Sequence, residues 1–333
     1  MGTLGESVPG LASGKLKQIL FSAPGHFAEV ARMRTPYQLF MWFYYRYPYA
    51  FDILAFPAQV NLAVSGRCNM TCRHCIRNVV HQTPDDIEPA LFKRIVKEVA
   101  GHQACRLKLS GAGEPSLHPQ FCDLVRCVAK IGAQITVYTN GWLFEILSPH
   151  EIVNSGIGHV VVSVDGLDKR SFEFIRVGGN YDRLKANVVR LFRARAELKV
   201  KHPWIEIRHV ISPNESPQDL LRFRKAWLVA ADGVKYNKLN LYTLSPQPGR
   251  VNTPLFRRCR AIRRELNVET NGRVLVCHSP HFQYGTAEEL GDLHHTGIKE
   301  LWQHPRLNEV RKAHERRDVN KPWFCAACNQ ITN

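Results

Sequence analysis

Between residues 58 and 245, six short apolar runs alternate with five amphipathic stretches. That alternation limits the fold more than any other feature of this chain. The apolar runs are 60–64, 106–110, 134–138, 159–164, 204–211 and 239–244, and the helical stretches between them are 89–101, 120–131, 144–154, 182–197 and 217–230. The first of these carries Leu91, Phe92, Ile95, Val96 and Val99, the spacing of one buried helix face. Strands that alternate with helices pair in parallel through right-handed crossovers. The expected fold is therefore α/β, an open partial (β/α)6 barrel. Chemistry in such sheets gathers at the carboxyl ends of the strands.

A cysteine cluster sits at the first of those ends. Cys68, Cys72 and Cys75 follow Ser65-Gly66 with the spacing C-x3-C-x2-C. Thiolates spaced this way hold zinc or an iron–sulfur cluster. A structural zinc site normally takes four protein ligands, and no fourth cysteine lies nearby. Three thiolates on a four-iron cluster leave one iron open to a substrate or cosubstrate. A zinc knuckle, or three unrelated buried cysteines, is the competing reading.

The second strand runs into Ser110-Gly111-Ala112-Gly113-Glu114-Pro115, where two glycines let the backbone approach a ligand and Glu114 adds a carboxylate at the rim. A plain strand-to-helix turn would look similar. The fourth strand ends in Ser163-Val164-Asp165-Gly166, followed by Phe174-Ile175-Arg176 and Gly178-Gly179, and Arg208 lies in the fifth strand. Near the carboxyl terminus, seventeen residues separate Cys259 from Cys277. Between them, 266–270 and 273–276 flank Asn271-Gly272, a favoured two-residue hairpin turn. Gly291-Asp292-Leu293 and Cys325-Ala326-Ala327-Cys328 follow. A hairpin pair plus C-x2-C makes four ligands, which suits zinc or a fully ligated 4Fe–4S cluster.

In this order, the motifs resemble those of the radical S-adenosylmethionine enzymes. In that family the open iron chelates the amino and carboxylate groups of S-adenosylmethionine, and reductive cleavage yields a 5′-deoxyadenosyl radical that takes hydrogen from substrate. Gly111-Ala112-Gly113-Glu114-Pro115 resembles the family's GGEP motif, with Ala112 a departure from it. The resemblance implies cosubstrate contacts from Gly111, Ala112, Gly113 and Glu114, from Ser163 and Arg176, and from Arg208 as a further candidate. The segment from Cys259 to Cys328 resembles the SPASM/twitch domain of such enzymes, in its short twitch form. Its cysteine layout is close to that of the butirosin-type 2-deoxy-scyllo-inosamine dehydrogenases.

The resemblance implies two 4Fe–4S clusters, one on Cys68, Cys72 and Cys75 and an auxiliary one on Cys259, Cys277, Cys325 and Cys328. It implies S-adenosylmethionine as cosubstrate and a flavodoxin or ferredoxin as electron donor. Residues 1–57 are then an aromatic-rich extension, 58–245 the radical core and 246–333 the twitch domain. The implied reaction is oxidation of a hydroxyl-bearing carbon of a sugar or aminocyclitol in natural-product biosynthesis. Peptide modification, epimerisation, or rearrangement of an anionic, nucleotide-like substrate are the alternatives within the family. A zinc protein that binds nucleic acid is the alternative outside it.

Composition narrows these readings. Lysine and arginine number 45 against 29 acidic residues, a formal charge of +16. Such an excess suits an anionic partner, whether a phosphorylated or nucleotide-linked substrate, nucleic acid or a membrane surface, or simply a basic surface. The basic clusters at 190–201, 257–264 and 311–317 are not interleaved with aromatics, which argues against single-stranded nucleic acid. Ten cysteines without an apolar signal segment in residues 1–17 point to reduced thiols in the cytoplasm. Cys105, Cys122 and Cys127 read as core residues, and His74, His294 and His295 as hydrogen-bonded rather than metal-bound. The aromatic run 37–49 is too short and too interrupted by Arg46 and Pro48 to span a bilayer. It packs on the core, or forms a helix for a membrane surface or a partner.

Overall fold

The computed structural model of the chain describes residues 43–44, 53–78, 83–102, 105–111, 113–239, 259–277, 288–316 and 325. Six strands run parallel: β1 (Gln59–Ala63), β2 (Arg106–Ser110), β3 (Gln134–Thr139), β4 (Ile157–Ser163), β5 (Trp204–Ile211) and β6 (Gly233–Lys238). Three more, β7 (Glu265–Val268), β8 (Arg273–Leu275) and β9 (Glu289–Asp292), complete one sheet in the order β6-β5-β4-β3-β2-β1-β7-β8-β9. The hairpin is thus not a separate layer. β7 pairs in parallel with β1, placing Val60 opposite Leu266, and β8 and β9 extend the sheet in antiparallel fashion.

Successive side chains of a strand face opposite sides. Val60, Leu62, Leu107, Leu109, Val160, Val162, Ile205 and Ile207 pack into one core with residues from the helices that cover that side. Those helices include α1 (Pro89–Ala100), α2 (Phe121–Lys130), α3 (Leu143–Ile146), α4 (Pro149–Asn154), α5 (Lys169–Ile175), α6 (Tyr181–Glu197) and α7 (Pro217–Trp227). Burying a side chain such as Val160 or Leu107 contributes about 1.5–3 kcal/mol. The alternate positions are Asn61, Lys108, Tyr138, Ser163, Glu206, Arg208 and Lys235. Parallel sheets usually bury apolar residues on both faces. Here one face is polar and charged, which suits a solvated cavity rather than a second helical layer. This is the partial barrel expected from the alternation.

Two expected elements differ. The helix expected over 144–154 is split into α3 and α4, because Pro149 cannot continue a helix and Ser148 caps a new one, accepting from Glu151 N–H. The sixth strand lies at Gly233–Lys238 rather than 239–244. Its three polar residues among six, Lys235, Asn237 and Lys238, hide the apolar signal of Val234 and Tyr236. Most of the expected range falls outside the described residues. Of the aromatic run only Phe43 and Tyr44 are described, and both are buried. The Tyr44 hydroxyl donates to the Arg263 carbonyl at 2.5 Å, tying this segment to the turn before β7.

His159 lies on the polar face of β4. Its buried Nε2 has no hydrogen-bond partner among the described residues and stands 3.7 Å from Glu206 Oε2. Burial pulls its pKa down to about 4, against the opposing pull of Glu206. An unfolded histidine takes its proton near pH 6.5. The neutral form is therefore fully compatible with folding above that pH, and stability falls as pH drops from 6.5 toward 4. Relative to His159→Gln, the wild-type chain is expected to lose about 1–2 kcal/mol between pH 7 and pH 5. Urea unfolding of both chains at the two pH values measures this, and parallel changes would refute it.

Candidate active site

Two loops interlock where β1 and β2 end. Glu114 N–H donates to the Arg67 carbonyl at 2.7 Å, and Gly66 N–H donates to the Asp85 carbonyl at 2.7 Å. A Cβ on residue 113 would lie 2.2 Å from the Arg67 carbonyl oxygen and 2.3 Å from that of Ser65, so only glycine fits. Gly111, at φ +136°, adopts backbone that favours glycine, beside Ala63. Gly113→Ala is expected to push the cysteine loop away and destabilise the chain by about 1–3 kcal/mol. Urea unfolding of the full chain reads this out, and an unchanged midpoint would contradict it.

The cysteine loop is fastened by its backbone. Thr71 N–H donates to Val177 O at 3.0 Å and Arg73 N–H to Ile175 O at 2.9 Å, so the segment after α5 forms its outer wall. Cys75 N–H and Asn78 Nδ2 both donate to the Cys72 carbonyl at 3.0 Å. Cys68, Cys72 and Cys75 line a cavity of about 350 Å³ together with Gly111, Gly113, Glu114, Ser163 and Arg176. Lys108, Tyr138, Asn140 and Glu269 share its wall. Arg208 is not among the lining residues. It pairs with Glu206, and its guanidinium stands 5.5 Å from the Tyr138 ring centroid. Ala112 lies outside the described residues.

Asp165 is the electrostatic hub below this cavity. Its Oδ2 accepts from Arg176 Nε at 2.8 Å and Nη2 at 2.6 Å, and lies 3.2 Å from His74 Nε2. Oδ1 accepts the Val210 N–H at 2.7 Å. Burial alone would raise the Asp165 pKa, but Arg176 and His74 hold it well below the usual carboxylate range. Arg176 in turn aims Nη1 at Cys72 Sγ, 4.0 Å away. Burial pushes the free Cys72 thiol up to about 11, with the guanidinium pulling the other way. Asn140 Nδ2 donates to Cys68 Sγ at 3.6 Å and to Asn69 Oδ1 at 2.8 Å.

Glu114 is buried and its oxygens are engaged. It accepts from Ser116 Oγ at 2.6 Å, Thr139 Oγ1 at 2.9 Å and Asn140 N–H at 2.6 Å. Burial raises its pKa against those bonds. The carboxylate expected at the rim therefore braces the β2 loop against the end of β3. Asn140, Asp165 and Lys108 went unassigned in the sequence. Lys108 could have been found by alternation, since it shares the face of Ser110 on β2. His74, as expected, is bonded to a carboxylate, and His294 Nδ1 likewise pairs with Asp292 at 2.7 Å.

The carboxyl-terminal cysteines Cys259, Cys277 and Cys325 are half-buried, while Cys328 lies outside the described residues. The His314 ring stands between Cys259 and Cys325. Cys105 is a core residue, its thiol pushed up to about 12 by burial. Among the described residues, no three His, Cys, Asp or Glu side chains converge on a point where one metal ion could sit. Three thiols around a cavity fit a cluster better than a single ion, because each then binds a different iron. Also among the described residues, no helix is long and apolar enough to cross a membrane.

Residues 62–226 match the family model of the radical SAM superfamily, and residues 259–329 match that of the SPASM iron–sulfur cluster-binding domain. A probable GTP 3′,8-cyclase of Methanothermobacter marburgensis is 29% identical over 131 residues, 39% of this chain and 42% of that protein. The tungsten-containing aldehyde ferredoxin oxidoreductase cofactor-modifying protein of Pyrococcus furiosus is 26% identical over 162 residues, 47% of this chain and 44% of its own. The chain thus spans less than half the length of these curated relatives. Among solved structures, Streptococcus suis SuiB bound to its precursor peptide SuiA aligns with a TM-score of 0.61 at 15% identity, covering 78% of this chain and 67% of SuiB. BtrN in complex with AdoMet and 2-DOIA aligns at 0.54 and 18% identity, covering 84% of this chain and 94% of BtrN.

The fold, the cysteine cavity and both family models place this chain in the radical S-adenosylmethionine superfamily, as a member with a SPASM-type carboxyl-terminal domain. Its cofactors are those of the family: a 4Fe–4S cluster with S-adenosylmethionine, and auxiliary iron–sulfur binding in the SPASM domain.

Proposed function

We propose that this chain binds a small polar substrate on the inner face of β1–β5 and removes hydrogen from a hydroxyl-bearing carbon. The substrate class is a sugar or aminocyclitol. The observation that carries this reading is a cavity that joins Cys68, Cys72 and Cys75 to a polar sheet face. When bound, a cluster on these cysteines supplies an electron to split the sulfonium of S-adenosylmethionine, and an auxiliary one on Cys259, Cys277, Cys325 and Cys328 supplies an electron acceptor. The protein's own part is positioning. Gly111 and Gly113 bring backbone to the cosubstrate, Ser163 and Arg176 face its polar groups, and Asn140 and Arg176 hold two thiols in place.

Lys108 favours a second reading, in which the substrate carries an anionic group. Its ammonium stands 4.6 Å from the Tyr138 ring centroid, on the cavity wall. Arg208 and Lys235 pair with Glu206, and Arg176 pairs with Asp165. No carboxylate among the described residues lies in ion-pair range of Lys108. A cation over an aromatic face, opening on a cavity, can take a phosphate or carboxylate.

Anaerobic reconstitution tests the reading. About eight irons per chain are expected from two 4Fe–4S clusters, with reductive consumption of S-adenosylmethionine under dithionite. Candidate polyols, free and phosphorylated, then distinguish the substrates. One 5′-deoxyadenosine per carbonyl formed supports oxidation. Solvent deuterium in a product of unchanged oxidation state points to epimerisation. Stoichiometric zinc, or no consumption of the sulfonium, ends the proposal.

A further inference from the structure

His314 has no role in the chemistry described so far, yet its ring joins two of the four carboxyl-terminal cysteine segments. It stands in α9 (Pro305–Arg316), with its side chain fully buried. Nδ1 accepts the Cys259 backbone N–H at 3.1 Å, and Nε2 lies 3.4 Å from Cys325 Sγ. A backbone amide can only donate, so Nδ1 carries a lone pair. A neutral imidazole has one N–H, which must then be on Nε2, pointing at sulfur.

The ring is held rigidly. Leu307 and Val310 of α9 are in the core. Arg311 Nε donates to Ile262 O at 2.9 Å and Nη1 to Trp302 O at 2.7 Å, and its guanidinium stacks 3.9 Å from the Trp302 ring centroid. Trp302 ends α8 (Ile298–Trp302), whose indole N–H donates to Leu54 O at 2.7 Å. The histidine therefore cannot turn away from sulfur without unpacking two helices.

We propose that His314 is a positioning residue of the auxiliary centre: it clamps the Cys259 segment to Cys325 and donates an N–H···S bond that sets the centre's reduction potential. The inference rests on the reading that Cys259 and Cys325 are cluster ligands. Hydrogen bonds to ligand sulfur withdraw charge from it and favour the reduced cluster, so they raise the potential. His314 would thus make the auxiliary centre a better electron acceptor.

The full chain carrying Cys72→Ala isolates the auxiliary centre, leaving about four irons. In that background, redox titration followed by electron paramagnetic resonance compares His314, His314→Gln and His314→Leu. The leucine chain is expected to need a lower potential for half reduction. A tenfold fall in the reduced-to-oxidised ratio corresponds to about 59 mV for a one-electron couple. Glutamine can both accept and donate, and is expected to recover part of the shift. In the reduced parent chain labelled with 15N-histidine, pulsed resonance should show a nitrogen coupling that His314→Gln removes. That measurement and the glutamine potential stand even if the leucine chain fails to fold. No coupling, together with a glutamine potential equal to that of histidine, would overturn the proposal. An iron-free Cys72→Ala chain would instead refute the assignment of Cys259 and Cys325 as ligands.

Discussion

Cys72→Ala is expected to remove about half the iron of the reconstituted chain, one 4Fe–4S cluster of two, and to bring S-adenosylmethionine cleavage to background while the chain stays folded. Folding should survive because, apart from the 4.0 Å contact from Arg176, the bonds that fasten the loop do not use the thiol. The bonds Thr71 to Val177, Arg73 to Ile175 and Cys75 to Cys72 are all between backbone groups. The side chain removed is small and lies at the cavity rather than among the strands and helices of the core. Cleavage should fail because two thiolates cannot complete a site with one open iron. Cys105→Ala is the matched control: it deletes a more deeply buried thiol, in the core, and should leave iron and cleavage intact. Iron counting, circular dichroism and 5′-deoxyadenosine formation under dithionite measure the three parts. Full iron and undiminished cleavage in Cys72→Ala would remove the basis of the proposed chemistry.

The loop at Cys68–Cys75 was readable because its ligands come from one stretch of chain, where spacing alone encodes the geometry. The sheet was readable for a similar reason: short apolar runs alternate with amphipathic stretches along the chain. What surrounds the cysteines was much less legible. Arg176 reaches Cys72 across 104 positions and Asn140 reaches Cys68 across 72. Neither distance leaves a local pattern. Asn140 follows β3 and Arg176 follows α5, and only the fold brings them to the cysteine loop. Glu114 lines the cavity, yet its bracing role was equally hidden. A carboxylate next to two glycines looks like a ligand contact, but the hydroxyls of Ser116 and Thr139 and the amide of Asn140 already engage it. His314 could not be singled out from its helix, because its meaning depends on two cysteines 55 and 11 residues away.

Asp165→Asn is expected to cost about 3–5 kcal/mol, the penalty for leaving a buried charge without its partner. The substitution keeps shape and can keep the bond from Val210 N–H to Oδ1, so the loss isolates the charge on Oδ2. Asparagine would turn an NH2 group toward Arg176 and His74, setting donors against donors. The guanidinium is nearly as buried as the carboxylate, with side-chain exposures of 10% and 1%, so water cannot replace the lost acceptor. The double variant Asp165→Leu/Arg176→Met should cost less than Asp165→Asn alone, since removing both charges leaves neither stranded. Urea unfolding of the full chains measures all three, and an Asp165→Asn cost below about 1 kcal/mol would show that the pair is not held as described. The pair also links the site's parts: Asp165 follows β4, Arg176 follows α5, Val210 belongs to β5 and His74 to the cysteine loop. Loosening it should therefore free Arg176 from Cys72 and lower iron retention at the core cluster, whereas damage confined to stability would leave iron per folded chain unchanged.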